Sequence, residues 1–140
     1  RAGAVSRLSC AKLATMLNIF AICLGASLGA LSRWGLGLWL STGAGLPWGT
    51  LAANLIGGYL IGVCIALFQA MPQLDPVWKL AIVTGFLGGL TTFSSYSAEV
   101  IGLLQQQRLA AALGWAAIHL VGSLCMTYVG MLSWNVWMVR

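Results

Sequence analysis

The chain has 140 residues, 60% of them hydrophobic and only 6% charged. Soluble domains carry roughly a quarter charged residues, so an ordinary soluble domain is excluded, and the length fits one domain with no dividing linker. A net charge of +5 does not mark a nucleic-acid binder here, because Arg1, Arg7, Lys12, Arg33, Lys79, Arg108 and Arg140 are scattered singly and form no patch or stripe.

Residues 1–15 differ in character from the rest of the chain, with Arg1, Arg7 and Lys12 among small residues before Met16. A signal peptide with ASLGA (26–30) as its cleavage-like site is one reading, but the apolar run continues well past it to Leu40. Met16 is the expected working start. Residues 1–15 are then an N-terminal extension, and 16–140 a single membrane domain.

Four apolar stretches, over 17–40, 49–70, 79–104 and 109–137, are long enough to cross about 30 Å of hydrocarbon as helices, which takes about 20 residues each. STGAGLP, MPQLDP and QQQR separate them, placing breakers or a polar hinge where helices should stop. No strand-type alternation is sustained, which argues against a β-barrel. The expected fold is an all-α integral membrane protein of four transmembrane helices.

Loop charge sets orientation. From Met16 onward one side holds Lys79 and Arg140 and the other holds Arg108, which is almost no bias. A chain with so little preference can insert both ways and pair with its inverted copy. With residues 1–15 present, the bias becomes five to one and this argument weakens.

Small residues supply packing faces: Gly25 and Gly29 on the first helix, Gly58 and Gly62 on the second, and Gly114, Gly122 and Gly130 on the fourth. Cys10, Cys23, Cys64 and Cys125 lie far apart without a CxxC pair. The three in apolar segments read as small buried hydrophobes.

The segment GFLGGLTTFSSYS, residues 85–97, interrupts the third stretch. Gly88, Gly89, Thr91 and Thr92 hold a helix poorly, so a break is expected over 88–92, near mid-membrane. Breaking a helix in hydrocarbon frees carbonyls that lipid cannot satisfy, each at a cost of several kcal/mol. Other polar residues need partners or water for the same reason. Thr50 and Asn54 share a face of the second helix, and His119, Ser123 and Thr127 a face of the fourth. The third adds Ser94, Ser95, Tyr96 and Ser97 beside its threonines. One such stripe alone reads as interhelical glue; three facing a broken segment point to a path. The lining offers hydroxyls, an amide and the ring edges of Phe93 and Tyr96, which carry the positive part of the aromatic quadrupole. It has no ring of carboxylates, as a cation path would. A small, hard, strongly hydrated anion suits it.

GFLGGLTTFSSYSAE, PWGTLAANLIGGYLIG (47–62), DPVWK (75–79) and GASLGALSRW (25–34) together closely resemble the Fluc (CrcB) family of bacterial fluoride channels, over essentially 16–137. The resemblance implies a multi-pass protein of the bacterial inner membrane, working as an antiparallel, dual-topology homodimer with two fluoride pores and a central sodium ion. It assigns Asn54 to the pore, with Thr50 one turn before it. Phe93 matches the first of two pore phenylalanines, and Tyr96 replaces the second, with Ser94 and Ser95 between the rings. Ser123 and Thr127 match a hydroxyl track. His119 stands where some relatives have tyrosine, and can donate to an anion, bond a neighbouring helix or face headgroups. Gly88 and Thr91 match the residues whose main-chain carbonyls hold the sodium ion. Four such oxygens from two chains suit a hard cation. Arg33 matches a vestibule arginine, where packing and attraction of anions are both open. Glu99 fits the motif too, as an interfacial anchor or a functional group.

The rival class is a small dual-topology multidrug exporter, also of four helices. Proton-coupled export wants a carboxylate in the middle of the first span, which has none, and Glu99 is misplaced for that task. An enzyme reading fails for want of any nucleophile–base spacing or ligand cluster.

Overall fold

The computed structural model describes residues 2–40 and 46–138, with side chains from Lys12 onward. Four helical spans, Lys12–Leu40, Trp48–Ala70, Pro76–Gln105 and Leu109–Met138, are long and apolar enough to cross a membrane. The chain is a multi-pass membrane protein.

Helix α1 runs unbroken over Ala2–Leu40, earlier than the expected start at 17. No residue before Met16 is a glycine or proline except Gly3, so nothing local stops the helix from continuing outward. Helix α2 is Trp48–Ala70. Its connection from α1 includes 41–45, so most of the expected STGAGLP turn lies outside the described residues, as does Arg140.

The third span is two helices. Its first arm, α3 (76–90), starts at Asp75, whose carboxylate accepts from the Val77 N–H at 2.9 Å, with Pro76 in the first helical position, a favourable start for both residues. The arm then widens into π-helical turns over Leu80–Leu87, in which the Gly88 N–H reaches the Val83 carbonyl five residues back. Such turns are rare and no pattern in the sequence announced them. The arm closes with Gly88–Leu90. Thr91 (φ −82°, ψ 155°) and Thr92 (φ −151°, ψ 116°) are extended, and the second arm, α4, is Phe93–Gln105. The break is therefore narrower than the expected 88–92: both glycines stay helical and the two threonines carry it.

A six-residue wrap closes α4: the Arg108 N–H donates to Leu103 O and the Gln107 N–H to Leu104 O, with Gln107 at φ 60°. This is a Schellman cap with glutamine where glycine is usual. Helix α5 is Leu109–Met138.

Packing is pairwise. Helix α3 lies along α1, α2 lies along α5, and α4 leans on α5, so the break lets the third span change partners half-way. The α1–α3 seam is a backbone contact. A Cβ at Gly25 would overlap the Ala81 carbonyl, one at Gly29 the Phe86 carbonyl, and one at Gly89 the Ala26 carbonyl. The α2–α5 seam repeats the device, with Gly58 and Gly62 against the Ser123 and Thr127 carbonyls and Gly130 against Tyr59. The expected face on α5 holds for Gly122 and Gly130 only; Gly114 has nothing within 4 Å. Of the described cysteines, Cys64 is buried while Cys23 and Cys125 are exposed on the outer surface. Their burial does not follow from sitting in an apolar span, because lipid-facing positions are apolar as well.

Candidate functional site

Several hydroxyls in the spans satisfy themselves. The hydroxyls of Ser27, Ser32, Ser97, Thr91 and Thr127 each donate to the carbonyl four residues earlier, at 2.8–2.9 Å. Such back-bonding lets a hydroxyl sit in hydrocarbon without a tertiary partner. Tyr59 and Ser133 pair across the α2–α5 seam, hydroxyl to hydroxyl at 3.0 Å, and most of the other side-chain hydrogen bonds in the spans gather at the break.

A cavity of about 640 Å³ lies there, between α2, both arms of the third span and α5. Asn54, Gly88, Thr91, Phe93, Tyr96, His119, Ser123 and Thr127 line it, with Ile61, Val83, Leu87, Leu120 and Leu124 as apolar wall. Gly57 and Gly58 shape one side: a Cβ at Gly57 would overlap the Thr91 methyl, and one at Gly58 would crowd the Ser123 carbonyl at 2.9 Å. No carboxylate lines the space, and the described residues hold no cluster of His, Cys, Asp or Glu fit for a metal ion.

Asn54 splints the break. Its Oδ1 accepts from the Thr92 N–H at 2.8 Å and its Nδ2 donates to the Thr92 carbonyl at 3.1 Å. In an unbroken helix the Thr92 N–H would bond the Gly88 carbonyl. Asn54 replaces that acceptor, and the Gly88 carbonyl loses its donor. Thr92 is itself buried, and its Oγ1 caps α4 by accepting from the Ser95 N–H at 3.1 Å, a standard N-cap arrangement. The Ser94 and Ser95 hydroxyls lie 3.2 and 3.1 Å from the same oxygen. Both serines thus belong to the cap and do not line the cavity, contrary to expectation.

Aromatic rings form a ladder beside the break. Phe93 and Tyr96 are 5.3 Å apart, Tyr96 and His119 4.8 Å, His119 and Trp115 5.1 Å, and Trp115 and Trp48 5.4 Å, centroid to centroid. Phe93 is 80% exposed at the open end and His119 4% exposed inside. Glu99 sits half-way along α4, not at a helix end. Its Oε2 accepts from Trp115 Nε1–H at 2.9 Å and lies 4.0 Å from His119 Nε2. Among the described residues the Tyr96 and Ser123 hydroxyls make no hydrogen bond, so both keep a donor for the cavity, whereas the Thr91 and Thr127 protons are committed to their own helices.

Thr50 and Arg33 do not reach this cavity. Both are half-buried. Sequence reasoning missed Thr92 as the hub of the break and Trp115 as the partner of Glu99. The run Thr91–Thr92 did signal the former, since threonine before a helix is a capping residue; a lone tryptophan signals nothing.

Residues 20–131 match the family model described as CrcB-like protein, Camphor Resistance (CrcB). The chain belongs to the CrcB family. Three relatives are each named Fluoride-specific ion channel FluC. One from Albidiferax ferrireducens is 70% identical over 82% of this chain and 88% of its own length. One from Variovorax paradoxus is 63% identical over 84% and 94%, and one from Paracidovorax citrulli 56% identical over 89% and 99%. The CrcB match spans both arms of the third span, the break and all the lining residues named above.

Proposed function

We propose that the protein is a passive, fluoride-selective channel of the bacterial inner membrane, through which fluoride leaves the cell and its toxicity is relieved. The observation that carries this reading is the uncharged, donor-bearing cavity beside a broken membrane helix, in a chain closely similar to proteins named fluoride-specific ion channels. Fluoride is small and holds its water tightly, so a path must replace that water with donors. The Tyr96 and Ser123 hydroxyls and the ring edges of Phe93 and Tyr96 supply partial positive charge without a full countercharge. An ion is then held firmly enough to enter and weakly enough to leave.

The working unit is an antiparallel homodimer with two pores. The near-absence of loop-charge bias from Met16 supports it, as does the exposure of Phe93 at the open edge of the cavity. The Gly88 and Thr91 carbonyls fit a structural sodium ion: one has lost its helical donor to Asn54 and the other sits in extended backbone on the same cavity. When bound, sodium would neutralise these main-chain oxygens, which lipid cannot do. Arg33 is a vestibule residue, serving by packing or by attraction of anions, and Thr50 lies one turn along α2 from Asn54.

Purified protein in liposomes tests the reading. Fluoride-loaded vesicles should empty and chloride-loaded ones should not. Equal chloride efflux would refute selectivity, and strict dependence on a proton gradient would favour an exchanger. Labelling a C-terminal cysteine tag in cells should find both orientations; a single orientation would reject the antiparallel dimer.

A further inference from the structure

The chain has a single histidine, and it sits between the break and an acid. The Thr92 N–H can only donate, so the Asn54 atom facing it at 2.8 Å is Oδ1 and the amide cannot be turned over. Nδ2 therefore points the other way, 3.1 Å from the Thr92 carbonyl and 3.1 Å from His119 Nδ1. An amide NH₂ has no lone pair to offer. His119 Nδ1 is thus an acceptor, and the proton of the neutral ring is on Nε2. The far side of the ring agrees: Nε2 is buried, makes no hydrogen bond among the described residues and faces the Glu99 carboxylate, itself held by Trp115. A donor on one side and a carboxylate on the other select the same tautomer. Tyr96 against one face and Trp115 edge-on keep the ring from turning away.

We infer that His119 is a positioning residue for permeation, acting through Asn54 and not on the ion. It takes one Nδ2 hydrogen of Asn54, which leaves the amide no better orientation than the one that grips both polar groups of Thr92. Without an acceptor at 119, that hydrogen is left unpaired in a low-dielectric site, and the orientation that grips Thr92 loses part of its advantage over others. The extended Thr91–Thr92 pair is then splinted less firmly. The inference rests on the channel reading only for its flux readout.

Nitrogen-15 labelling of histidine gives one residue's signals and no others. The expected spectrum at neutral pH has Nδ1 unprotonated and Nε2 protonated; a protonated Nδ1 or a mixture of tautomers overturns the inference. Two variants extend the test. His119→Asn places a carboxamide oxygen near the position of Nδ1, and His119→Leu fills the space without an acceptor. Fluoride efflux should stay within about threefold for the asparagine variant and fall roughly tenfold or more for the leucine variant, with faster amide exchange at Thr92 in the latter alone. Equal loss in both folded variants would mean that Nε2 acts on the ion directly, and normal flux and exchange in His119→Leu would mean no role; either overturns the inference. Should His119→Leu fail to fold, the nitrogen signals and the asparagine variant decide. If wild-type vesicles pass no fluoride, the channel reading falls while the nitrogen signals and Thr92 exchange still decide this one.

Discussion

The two arms of the third span are built on different principles. The first, 76–90, docks on α1 by backbone against backbone, through Gly25, Gly29, Gly85 and Gly89, and among the described residues no side chain of it bonds across the seam. The second, Phe93–Gln105, is held by directional side-chain contacts: Thr92 with Asn54, Glu99 with Trp115, Tyr96 on His119. Steric docking tolerates no added volume but is indifferent to chemistry. A polar and aromatic network tolerates small changes of volume and depends on which atom donates. The break joins the two, so the first arm sets where the path lies and the second sets what it offers.

The largest effect should come from the steric arm. Gly89→Leu drives a side chain into the Ala26 backbone, which cannot move aside, and should destabilise by about 3 kcal/mol or more. Loss of a monodisperse peak in detergent is the measurement. The same change at Gly102, with nothing within 4 Å, should leave the peak intact; equal collapse at both would end the distinction.

Next is the splint. Asn54→Ala leaves the Thr92 N–H and carbonyl without their side-chain partner and should cost about 2–4 kcal/mol, seen as a lowered Tm and rapid amide exchange at Thr92. Unchanged exchange there would show that the break holds itself.

Phe93→Ile separates function from folding. Isoleucine keeps apolar bulk at position 93, so thermal stability should move by less than about 1.5 kcal/mol. Fluoride efflux should fall by about tenfold as the ring edge is lost. A large drop in stability with no separate effect on flux would make Phe93 a packing residue. Tyr96→Ile run beside it tells whether one ring or two work in each path.

The smallest effect lies at the far end of the second arm. Gln107 holds φ 60° in the cap, a conformation that glycine adopts freely. Gln107→Gly should raise stability by about 0.5–1 kcal/mol, read as a small increase in Tm with flux unchanged. A decrease would mean that the Gln107 side chain contributes more than its backbone costs.

Sequence alone determined the class and the count. Sixty per cent hydrophobic residues and four long apolar runs leave only membrane helices, because lipid accepts no backbone that is not bonded within itself. The interruption at GGLTT was legible too, since glycine and threonine weaken a helix wherever they stand. Tertiary structure decided the rest. That the threonines break and the glycines do not depends on Asn54, 38 residues away, offering the Thr92 N–H a better-placed acceptor than its own helix. That Glu99 faces inward depends on a tryptophan in another helix. The start of α1, the π-helical turns of α3 and the open surface of Gly114 also escaped the pattern. Local propensity says where a backbone can yield, but where it does yield is settled by which partner stands across the gap.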